Sequence, residues 1–486
     1  MRQLITRRFE YVALLCAALL AGSVSSSAAE DWAQFRGPNA SGIAAESKNP
    51  PVEFSEEKNV AWSVELGKGV ACPIIADGRC FATTMTEDKK FVVLAFDAVT
   101  GKELWKKEYD VSGHKLPEIT PPNEHASSTP ASDGERVFVH FSTIGLLALD
   151  AKTGKEVWKH PLQMPFYLMG WGAANSPIVH GENVIFNLDD DLLSYIIALD
   201  RKTGDVRWKK ERPEMLGGYA VPVICKANGR EDIVVAGSGK MKGYDPKTGS
   251  ERWSCNSLLR TIMTTPVVQD DRIYITCQSY GDTSRVLKFA LLQWRDTNQD
   301  GKLAKSELEE AFHKKFDKGD ANKDGFLVDD EVSAAFQSPS NMAGGGNIIQ
   351  AIRGGGEGDV TKSHLVFNLD EKTPSNIASP LALDGRLFMV KKGGISAAFS
   401  LKDGSKVWTK KRIGNFGNYY ASPIAAGKLI YVPGENGNIV VLKAGPEVEV
   451  LSKNDLGDSL IATPAIANDR LYVRTLHKLF CFAEEK

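Results

Sequence analysis

The chain has 486 residues, of which 42% are hydrophobic and 25% are charged, and its formal net charge is −2. That hydrophobic content is ample for a large folded core. A nearly balanced charge provides no basic surface of the kind that binds nucleic acid or anionic lipid, so those function classes are excluded.

The first 29 residues have the composition of a secretory signal peptide. Arg2, Arg7 and Arg8 precede an apolar stretch at 11–21, and small residues at 27–29 form a cleavage site. No other segment is apolar for long enough to span a bilayer. We therefore expect a monomeric periplasmic or secreted protein. Six scattered cysteines follow the signal peptide, and we expect them to be buried thiols.

The pattern A-x-D-x-x-T-G-x-x-x-W recurs along the chain. Three full copies run from residue 95 to 105, 148 to 158 and 198 to 208. A fourth copy has Gly243 in the first position and ends at Trp253, and a degraded fifth copy ends at Trp408. Each copy predicts a strand, a turn with glycine at positive φ, and a second strand whose Trp packs on a neighbouring unit. Such repetition is typical of stacked supersecondary units.

Proline marks the first strand of each unit, because a proline at the start of a strand removes no ladder hydrogen bond. The marker residues are Pro73, Pro130, Pro177, Pro222, Pro266, Pro380, Pro423 and Pro464. Their successive spacings are 57, 47, 45, 44, 114, 43 and 41 residues, which indicates an insertion in the fifth unit. Units of this length predict four-stranded propeller blades.

Closure of the ring is predicted from the two ends of the chain. The last unit stops after an apolar strand at 479–482, while residues 59–64 hold an isolated strand around Trp62. We expect this N-terminal strand to complete the last blade and so remove a sheet edge. Phe367 takes the position of the Trp in the fifth unit, and the seventh unit has only aliphatic residues near 448–451.

The insertion contains two twelve-residue loops with the spacing of an EF-hand, at 296–307 and 320–331. Ca²⁺ takes oxygen ligands from positions 1, 3 and 5, from the main-chain carbonyl at position 7 and from a bidentate Glu at position 12, with Gly at position 6 for the bend. The predicted ligands of two Ca²⁺ ions are Asp296, Asn298, Asp300, Lys302 and Glu307, and Asp320, Asn322, Asp324, Phe326 and Glu331. Lys302 and Phe326 contribute their carbonyls. The alternative is a pair of acidic turns that bind nothing.

The rest of the insertion has three further features. Residues 293–350 hold 11 acidic and 7 basic side chains, a net charge of −4 that two Ca²⁺ would neutralise. Only residues 308–319 separate the loops, and their apolar spacing predicts one helix that serves both. This short separation puts in doubt a strand bridge between Leu303 and Leu327. Gly-rich stretches at 338–346 and 354–358 are typical of flexible joints.

These repeats resemble the PQQ-like β-propeller repeats of quinoprotein dehydrogenases and of the outer-membrane assembly factor BamB. Residues 31–39 (DWAQFRGPN) also resemble the opening of secreted propellers of planctomycete type. Quinoprotein dehydrogenases hold their cofactor over the propeller axis, and that family's active site has a vicinal disulfide, a Ca²⁺ ligand set and a catalytic Asp. This sequence has no adjacent cysteines and no C-x-x-C-H haem signature. No residues match the family's catalytic set, so PQQ is not expected.

Two further polar clusters have candidate roles. Asp189, Asp190 and Asp191 follow an apolar strand, and we expect a solvated hairpin tip in preference to a cation site. His125 precedes the second blade and is a candidate for the axial channel together with Arg212 and Glu214, although a hydrogen-bonded loop histidine is the favoured alternative.

The sequence thus predicts an all-β, eight-bladed propeller of four-stranded antiparallel blades with a small α-helical EF-hand insertion in blade five. The predicted divisions are a signal peptide at 1–29, an N-terminal extension at 30–58, propeller at 59–291, the EF-hand pair at 292–353 and propeller again at 354–486. The expected function is an exported calcium-binding, non-catalytic scaffold with a protein or glycan partner at the cell envelope. The alternatives are a PQQ-dependent alcohol or sugar dehydrogenase and a carbohydrate-binding propeller.

Overall fold

The structure is a computed structural model that describes residues 31–484 except 118, 168–169, 192, 214, 216, 257, 259–261, 280–295, 309–312 and 337–345. The signal peptide predicted at 1–29, the segment 338–345 of the first predicted joint and Glu214 lie outside the described residues. No helix in the described part of the chain is long and apolar enough to cross a membrane.

Eight antiparallel sheets form an eight-bladed propeller, as the sequence predicts. The strands of blades one to four are Ile74–Ala76, Arg79–Met85, Lys90–Asp97 and Glu103–Asp110; Ala131–Ser132, Arg136–Phe141, Gly145–Asp150 and Glu156–His160; Ile178–His180, Asn183–Leu188, Tyr195–Asp200 and Val206–Glu211; Val223–Ala227, Arg230–Gly237, Lys240–Tyr244 and Glu251–Cys255.

Blades five to eight contain Val267–Gln269, Arg272–Ser279, Gly346–Arg353 and Leu365–Leu369; Leu381–Leu383, Arg386–Lys391, Ile395–Ser400 and Lys406–Arg412; Ile424–Ala426, Leu429–Pro433, Asn438–Lys443 and Glu449–Asp455; Ala465–Ala467, Arg470–Arg474, Lys478–Phe482 and Val60–Glu65. Shorter elements are the strands Ile43–Ala44, Leu303–Ala304, Phe326–Leu327 and Gly358–Asp359, the 3₁₀ turns Pro38–Ala40, Lys305–Glu307 and Lys392–Gly394, and the helices α1 (His313–Gly319) and α2 (Asp329–Phe336).

The ring closes through the N-terminal strand, which confirms the prediction from the chain ends. Val60–Glu65 pairs antiparallel with Lys478–Phe482, so the first strand and the last strand belong to blade eight. This pairing removes a free sheet edge, which would otherwise be a template for aggregation. The insertion lies between the second and third strands of blade five, where the repeat spacing places it.

The repeated Trp is a contact between successive blades. The indole Nε1 of Trp105 donates to the carbonyl of Ala151 in the next blade at 3.0 Å, and Trp62, Trp158 and Trp208 make the corresponding bond at 3.1 Å. The glycine of the next turn lies against each of these four indoles; at Gly154 an added Cβ would stand 2.5 Å from the Trp105 ring. The glycine therefore supplies both the positive φ and the space for the Trp.

The irregular copies of the repeat have structural causes. Trp253 bonds Asp232 within its own blade at 2.8 Å, and its ring lies over Gly243, where a Cβ would be 2.1 Å away. This contact explains why glycine replaces alanine in the fourth copy. Phe367 packs against Gly404 of the next blade, so it takes the Trp position in blade five as predicted.

The N-terminal segment at 31–44 crosses the propeller axis at the end where the Thr-Gly turns lie. The carbonyl of Ala33 accepts from Ser132 in blade two, whereas Arg36 donates to the carbonyl of Pro380 in blade six at 2.6 Å. Blades two and six are opposite each other in a ring of eight. Ile43–Ala44 then adds a parallel strand to blade seven. This segment therefore forms a floor across the central channel.

The glycines at 354–358 were predicted to form a flexible joint, and this prediction is wrong. Gly354 donates to the carbonyl of Asp271 at 2.7 Å, and a Cβ there would lie 2.4 Å from the sulfur of Cys225. Gly358–Asp359 adds a parallel strand to blade four beside Trp253–Ser254. Glycine at position 354 therefore makes room for a neighbouring side chain and is not there for mobility. The six cysteines in the described part of the chain are buried and form no disulfide, as expected.

Candidate functional sites

The first twelve-residue loop folds around its own carboxylates. Asp296 accepts hydrogen bonds from the N–H of Asp300 at 3.1 Å and of Gly301 at 2.7 Å. Glu307, at position 12, accepts from the N–H of Ala304 at 2.9 Å. Burial raises the pKa of Glu307, but hydrogen bonds from Ala304 and Thr297 outweigh it, so the net shift is downward. These hydrogen bonds therefore favour the charged form of the carboxylate at position 12.

The second loop repeats the same arrangement. Asp320 accepts from the N–H of Gly325 at 3.1 Å, and Glu331 accepts from the N–H of Ala321 at 3.2 Å. In both loops the Asn at position 3 accepts from the N–H of position 5, at 2.9 and 2.8 Å. Within the described residues no three His, Cys, Asp or Glu side chains stand close enough together to form a metal site by themselves. Each predicted set of Ca²⁺ ligands also includes the amide oxygen of an Asn and one main-chain carbonyl.

A two-residue bridge joins the loops, although their short separation put it in doubt. Leu303 pairs antiparallel with Leu327, and Ala304 pairs with Phe326. The bridge forms because it requires only that the loops lie side by side, and one short connecting helix allows this. Beneath it lies a small apolar core made of Leu303, Leu308, Phe316, Leu327, Val332 and Ala335.

The insertion docks on the propeller through that core. Phe166 and Leu193, from loops next to blade three, pack against the apolar residues of the insertion. Lys315 of α1 is half-buried, and burial lowers its pKa while the charge of Asp190 partly offsets the shift. A segment that leaves the ring at blade five thus reaches blade three, with both apolar and charged contacts.

The acidic cluster at 189–191 is buried, so the prediction of a solvated hairpin tip is wrong. The relative exposures of Asp189, Asp190 and Asp191 are 0%, 3% and 7%. Asp189 forms an ion pair with the buried Arg212 at 3.0 Å, and Asp190 accepts from the N–H of Phe166 at 3.1 Å. These carboxylates therefore hold the loops on which the insertion docks. A run of Asp after a strand gave no signal of burial, because the compensating Arg and N–H groups are distant in sequence.

A second site lies on the propeller axis. The residue immediately before each blade proline lines a central chamber of about 550 Å³. These residues, here called the axial ring, are Cys72, Thr129, Ser176, Val221, Thr265, Ser379, Ser422 and Thr463. Sequence reasoning used the prolines to count blades and missed the ring, although eight equivalent positions were visible beside them.

Hydrogen bonds connect the axial ring from blade to blade. In six of its eight steps the N–H of one member donates to the hydroxyl of the next member, at 2.9–3.1 Å. The other two steps lead to Val221, which has no hydroxyl, and to Cys72, which has a thiol. Burial raises the pKa of that thiol, so Cys72 is neutral at pH 7. The ring is thus a neutral, hydroxyl-rich surface around the axis.

Two buried cations flank Cys72 outside the chamber. Arg36 is fully buried in the N-terminal segment, and burial lowers its pKa to about 9. Arg474 is also fully buried, and burial lowers its pKa to about 10; it donates to the carbonyls of Ala71 and Thr83. Both guanidinium groups are used to hold backbone carbonyls together at the channel floor and at the junction of blades eight and one.

His125 does not join an axial cluster with Arg212. His125 is half-buried, burial lowers its pKa, and it does not line the chamber. Arg212 instead forms its ion pair with Asp189.

Comparisons with known proteins agree with this architecture. The sequence profile of the family described as outer membrane protein assembly factor BamB matches residues 52–170, 169–321 and 365–485. The chain is 24% identical to BamB of Yersinia pestis over 310 residues, which are 60% of this chain and 71% of that protein. The crystal structure of BamB from Moraxella catarrhalis has a TM-score of 0.54 at 16% identity and covers 88% of this chain and 97% of its own.

Quinoprotein enzymes also match, over shorter stretches. Quinohemoprotein alcohol dehydrogenase ADH IIB of Pseudomonas putida is 30% identical over 176 residues, which are 34% of this chain and 24% of that enzyme. The structure of quinohemoprotein alcohol dehydrogenase from Comamonas testosteroni has a TM-score of 0.54 at 13% identity, covering 94% of this chain and 81% of that one. The chain spans only about a quarter to a third of the length of the first quinoprotein relatives (24% and 34%).

Proposed function

Because the chain belongs to the family of the outer membrane protein assembly factor BamB, we propose that it is an exported β-propeller that binds two Ca²⁺ and acts as a non-catalytic binding or scaffold protein. Its partner is a protein or a glycan of the cell envelope. The proposal has two parts, calcium binding and a scaffold role, and each is tested separately.

The shared folding of the two loops is the observation that supports calcium binding. Each loop places Asp, Asn and Asp at positions 1, 3 and 5 and a Glu at position 12, with the glycine between them at positive φ: +78° at Gly301 and +83° at Gly325. Ca²⁺ prefers six to eight oxygen ligands, which this set supplies from side chains, one carbonyl and water. Position 9 is Ala304 or Val328, neither of which has a side-chain oxygen, so water fills that place.

A structural role for the ions follows from where the insertion docks. Its apolar core is shared with Phe166 and Leu193 of the propeller, so the loops do not stand apart from the ring. Four uncompensated negative charges between residues 293 and 350 oppose this packing, and two Ca²⁺ remove that repulsion. Extracellular modules of this kind bind with Kd of about 10⁻⁴–10⁻³ M, so the sites stay filled where calcium is abundant.

Calorimetric titration of the full-length mature chain with CaCl₂ tests the calcium proposal. We expect two binding events in the high micromolar to millimolar range. Glu307→Gln and Glu331→Gln should each abolish one event, because each removes a bidentate charged ligand. Asp317→Asn is the control, since Asp317 is an exposed carboxylate of the same insertion that pairs with Lys305 at 2.6 Å and belongs to neither loop.

Absence of binding heat, or binding that both Glu variants leave unchanged, would refute the calcium proposal. Submicromolar affinity together with a large gain of helix by circular dichroism would instead identify a sensor and refute the structural role.

The scaffold role is supported by the family and by the broad loop face around the chamber. Affinity capture from an envelope extract, with and without a chelator, tests it. We expect specific envelope partners that the propeller retains when the extract is washed in moderate salt. Recovery of no partner above the level of an unrelated propeller would count against the scaffold role.

A quinone-dependent dehydrogenase is the second candidate, because several relatives bear that name and the chamber lies on the axis. The described lining fits the cofactor poorly. It contains no Asp or Glu to hold a metal ion and one cation, Lys392, whereas PQQ is a tricarboxylate. We therefore derive no redox step. Reconstitution with PQQ and Ca²⁺ followed by a dye-reduction assay decides between the two, and turnover would reverse the ranking.

A further inference from the structure

We propose that the axial chamber is a binding site for a neutral carbohydrate, of about disaccharide size, which enters from the face that carries the insertion. The inference goes beyond calcium binding, and none of the described residues that line the chamber belongs to the two twelve-residue loops. It names the chemistry of one ligand that the scaffold would hold.

The size and closure of the chamber favour a small ligand. A cavity of about 550 Å³ lies within the range of 300–1,000 Å³ that is usual for small-molecule sites. Phe35 of the N-terminal segment lines the chamber, and this segment crosses the axis between blades two and six. A ligand therefore approaches from the opposite face, where the loops before the blade prolines lie.

The charge of the wall excludes ions as the preferred ligand. Among the described lining residues there is no carboxylate and a single cation, the exposed Lys392. The nearby guanidinium groups of Arg36 and Arg474 are fully buried and donate to backbone carbonyls, so they do not face the chamber space. An anionic ligand would lose its hydration and gain little in return, whereas a neutral polar ligand avoids this cost.

The polar groups of the wall match the hydroxyl groups of a sugar. Thr265, Ser379 and Ser422 each accept an N–H from the preceding blade, which fixes the oxygen and leaves the O–H to donate. Gln278, near the end of the second strand of blade five, and Asn418, in the loop that enters blade seven, add amide groups. Hydroxyls and amides both donate and accept, and a sugar hydroxyl requires both functions from its site.

Aromatic side chains supply the other half of the site. Trp171 and Tyr219 line the chamber from the loops that enter blades three and four. Tyr219 is fixed by stacking on Tyr167, with ring centroids 5.1 Å apart, and Tyr167 donates to Asn175 at 2.8 Å. A pyranose has an apolar C–H face and a polar edge. The aromatic groups are suited to the face, and the hydroxyls and amides to the edge.

Saturation-transfer NMR on the full-length mature chain tests the proposal with maltose, cellobiose, lactose and chitobiose as probes. We expect transfer to at least one disaccharide, with a Kd in the micromolar to millimolar range. Trp171→Ala should weaken binding about tenfold or more, because it removes the stacking surface. Ser379→Ala should weaken it about fivefold, which is typical of one neutral hydrogen bond.

The matched control is Ser396→Ala. Ser396 is a fully buried serine of blade six that donates to Lys411 at 2.8 Å and does not line the chamber, so it reports the loss of a structural hydroxyl alone. It should leave sugar binding unchanged. No transfer to any of the four probes, or transfer that Trp171→Ala and Ser379→Ala both leave unchanged, overturns the proposal. Tighter binding of PQQ, or displacement of the sugar by a neutral peptide, overturns it as well. Calcium titration of the same sample shows independently whether the loops bind metal.

Discussion

Replacing Gly154 by alanine is expected to destabilise the junction between blades one and two. Gly154 has a φ of +69°, and a Cβ there would stand 2.5 Å from Cε3 and 2.7 Å from Cδ2 of Trp105. These atoms belong to the middle of a ring that is 8% exposed and whose Nε1 bonds Ala151 at 3.0 Å. The ring cannot turn away without losing that bond, so the substitution must shift a whole strand.

The expected cost has three parts. An alanine at positive φ costs about 1–2 kcal/mol. Overpacking against the indole costs about 1–3 kcal/mol, and a strained Trp105 hydrogen bond costs about 1 kcal/mol. The sum is about 3–6 kcal/mol. At about 2.1 cal/mol/K of unfolding entropy per residue, 1 kcal/mol shifts Tm of a chain of this length by roughly 1 °C.

Calorimetric unfolding of Gly154→Ala and Gly134→Ala compares the two effects. Gly134 is also a turn glycine with positive φ (+85°), but nothing lies within 4 Å of its Cβ position, so its variant measures the backbone cost alone. We expect Tm to fall by about 3–6 °C for Gly154→Ala and about 1–2 °C for Gly134→Ala. Equal shifts would refute the view that the repeat glycine is present to make room for the Trp.

Three further predictions concern charged and titratable groups. Glu331→Gln should lower the calcium-dependent gain in Tm to about that of one site, measured by scanning at saturating CaCl₂, and an unchanged gain would contradict the ligand assignment. Asp189→Asn should cost about 3–5 kcal/mol in unfolding free energy, because it leaves Arg212 buried without its carboxylate; a loss below about 0.5 kcal/mol would show that the pair is dispensable. Burial lowers the pKa of His140 to about 3, from an ordinary value of 6.5. The folded state therefore binds fewer protons, so stability is complete above pH 6.5 and falls by about 2 kcal/mol at pH 5. His140→Leu should flatten this decline in urea unfolding measured from pH 7 to 5, and an unaltered slope would exclude His140 as its cause.

Much of the fold was predictable because the blades repeat. A turn such as Asp97 to Gly101 is local: Asp97 accepts from the N–H of Thr100 at 2.8 Å, so its residues lie within a few positions of one another. The number of blades, the closing strand at Val60–Glu65 and the place of the insertion all follow from counting such local units. The local folding of the two twelve-residue loops was predictable for the same reason, since Asp296 accepts from Gly301 and Glu307 accepts from Ala304 within one loop; calcium binding there stays a prediction.

The errors concern residues whose partners are distant in sequence. Asp190 accepts from Phe166 and influences Lys315, which are 24 and 125 positions away, and periodicity gives no information about such contacts. Gly354 was predicted to lie in a flexible joint. The sequence alone does not distinguish a glycine that makes room for a neighbouring side chain, here Cys225, from a glycine in a flexible segment. The axial ring was missed for a different reason: its members share a sequence position, directly before each blade proline, but they are mostly small residues that form no known binding motif.

The two ends of the propeller axis have different constraints, and this difference argues for the location of function. The Thr-Gly turns, the Trp contacts and the N-terminal floor lie at one end. Close packing there, as at Gly154 and at the buried Arg36, restricts which substitutions the fold tolerates. At the other end the loops differ from blade to blade in length and chemistry, and one of them has acquired the whole insertion. The insertion returns to that same face at Phe166 and Leu193, and Tyr167, the neighbour of Phe166, stacks on Tyr219 of the chamber wall. The proposed Ca²⁺ ions would therefore stabilise both the insertion and the loops at the chamber mouth, so the two proposed sites share one surface.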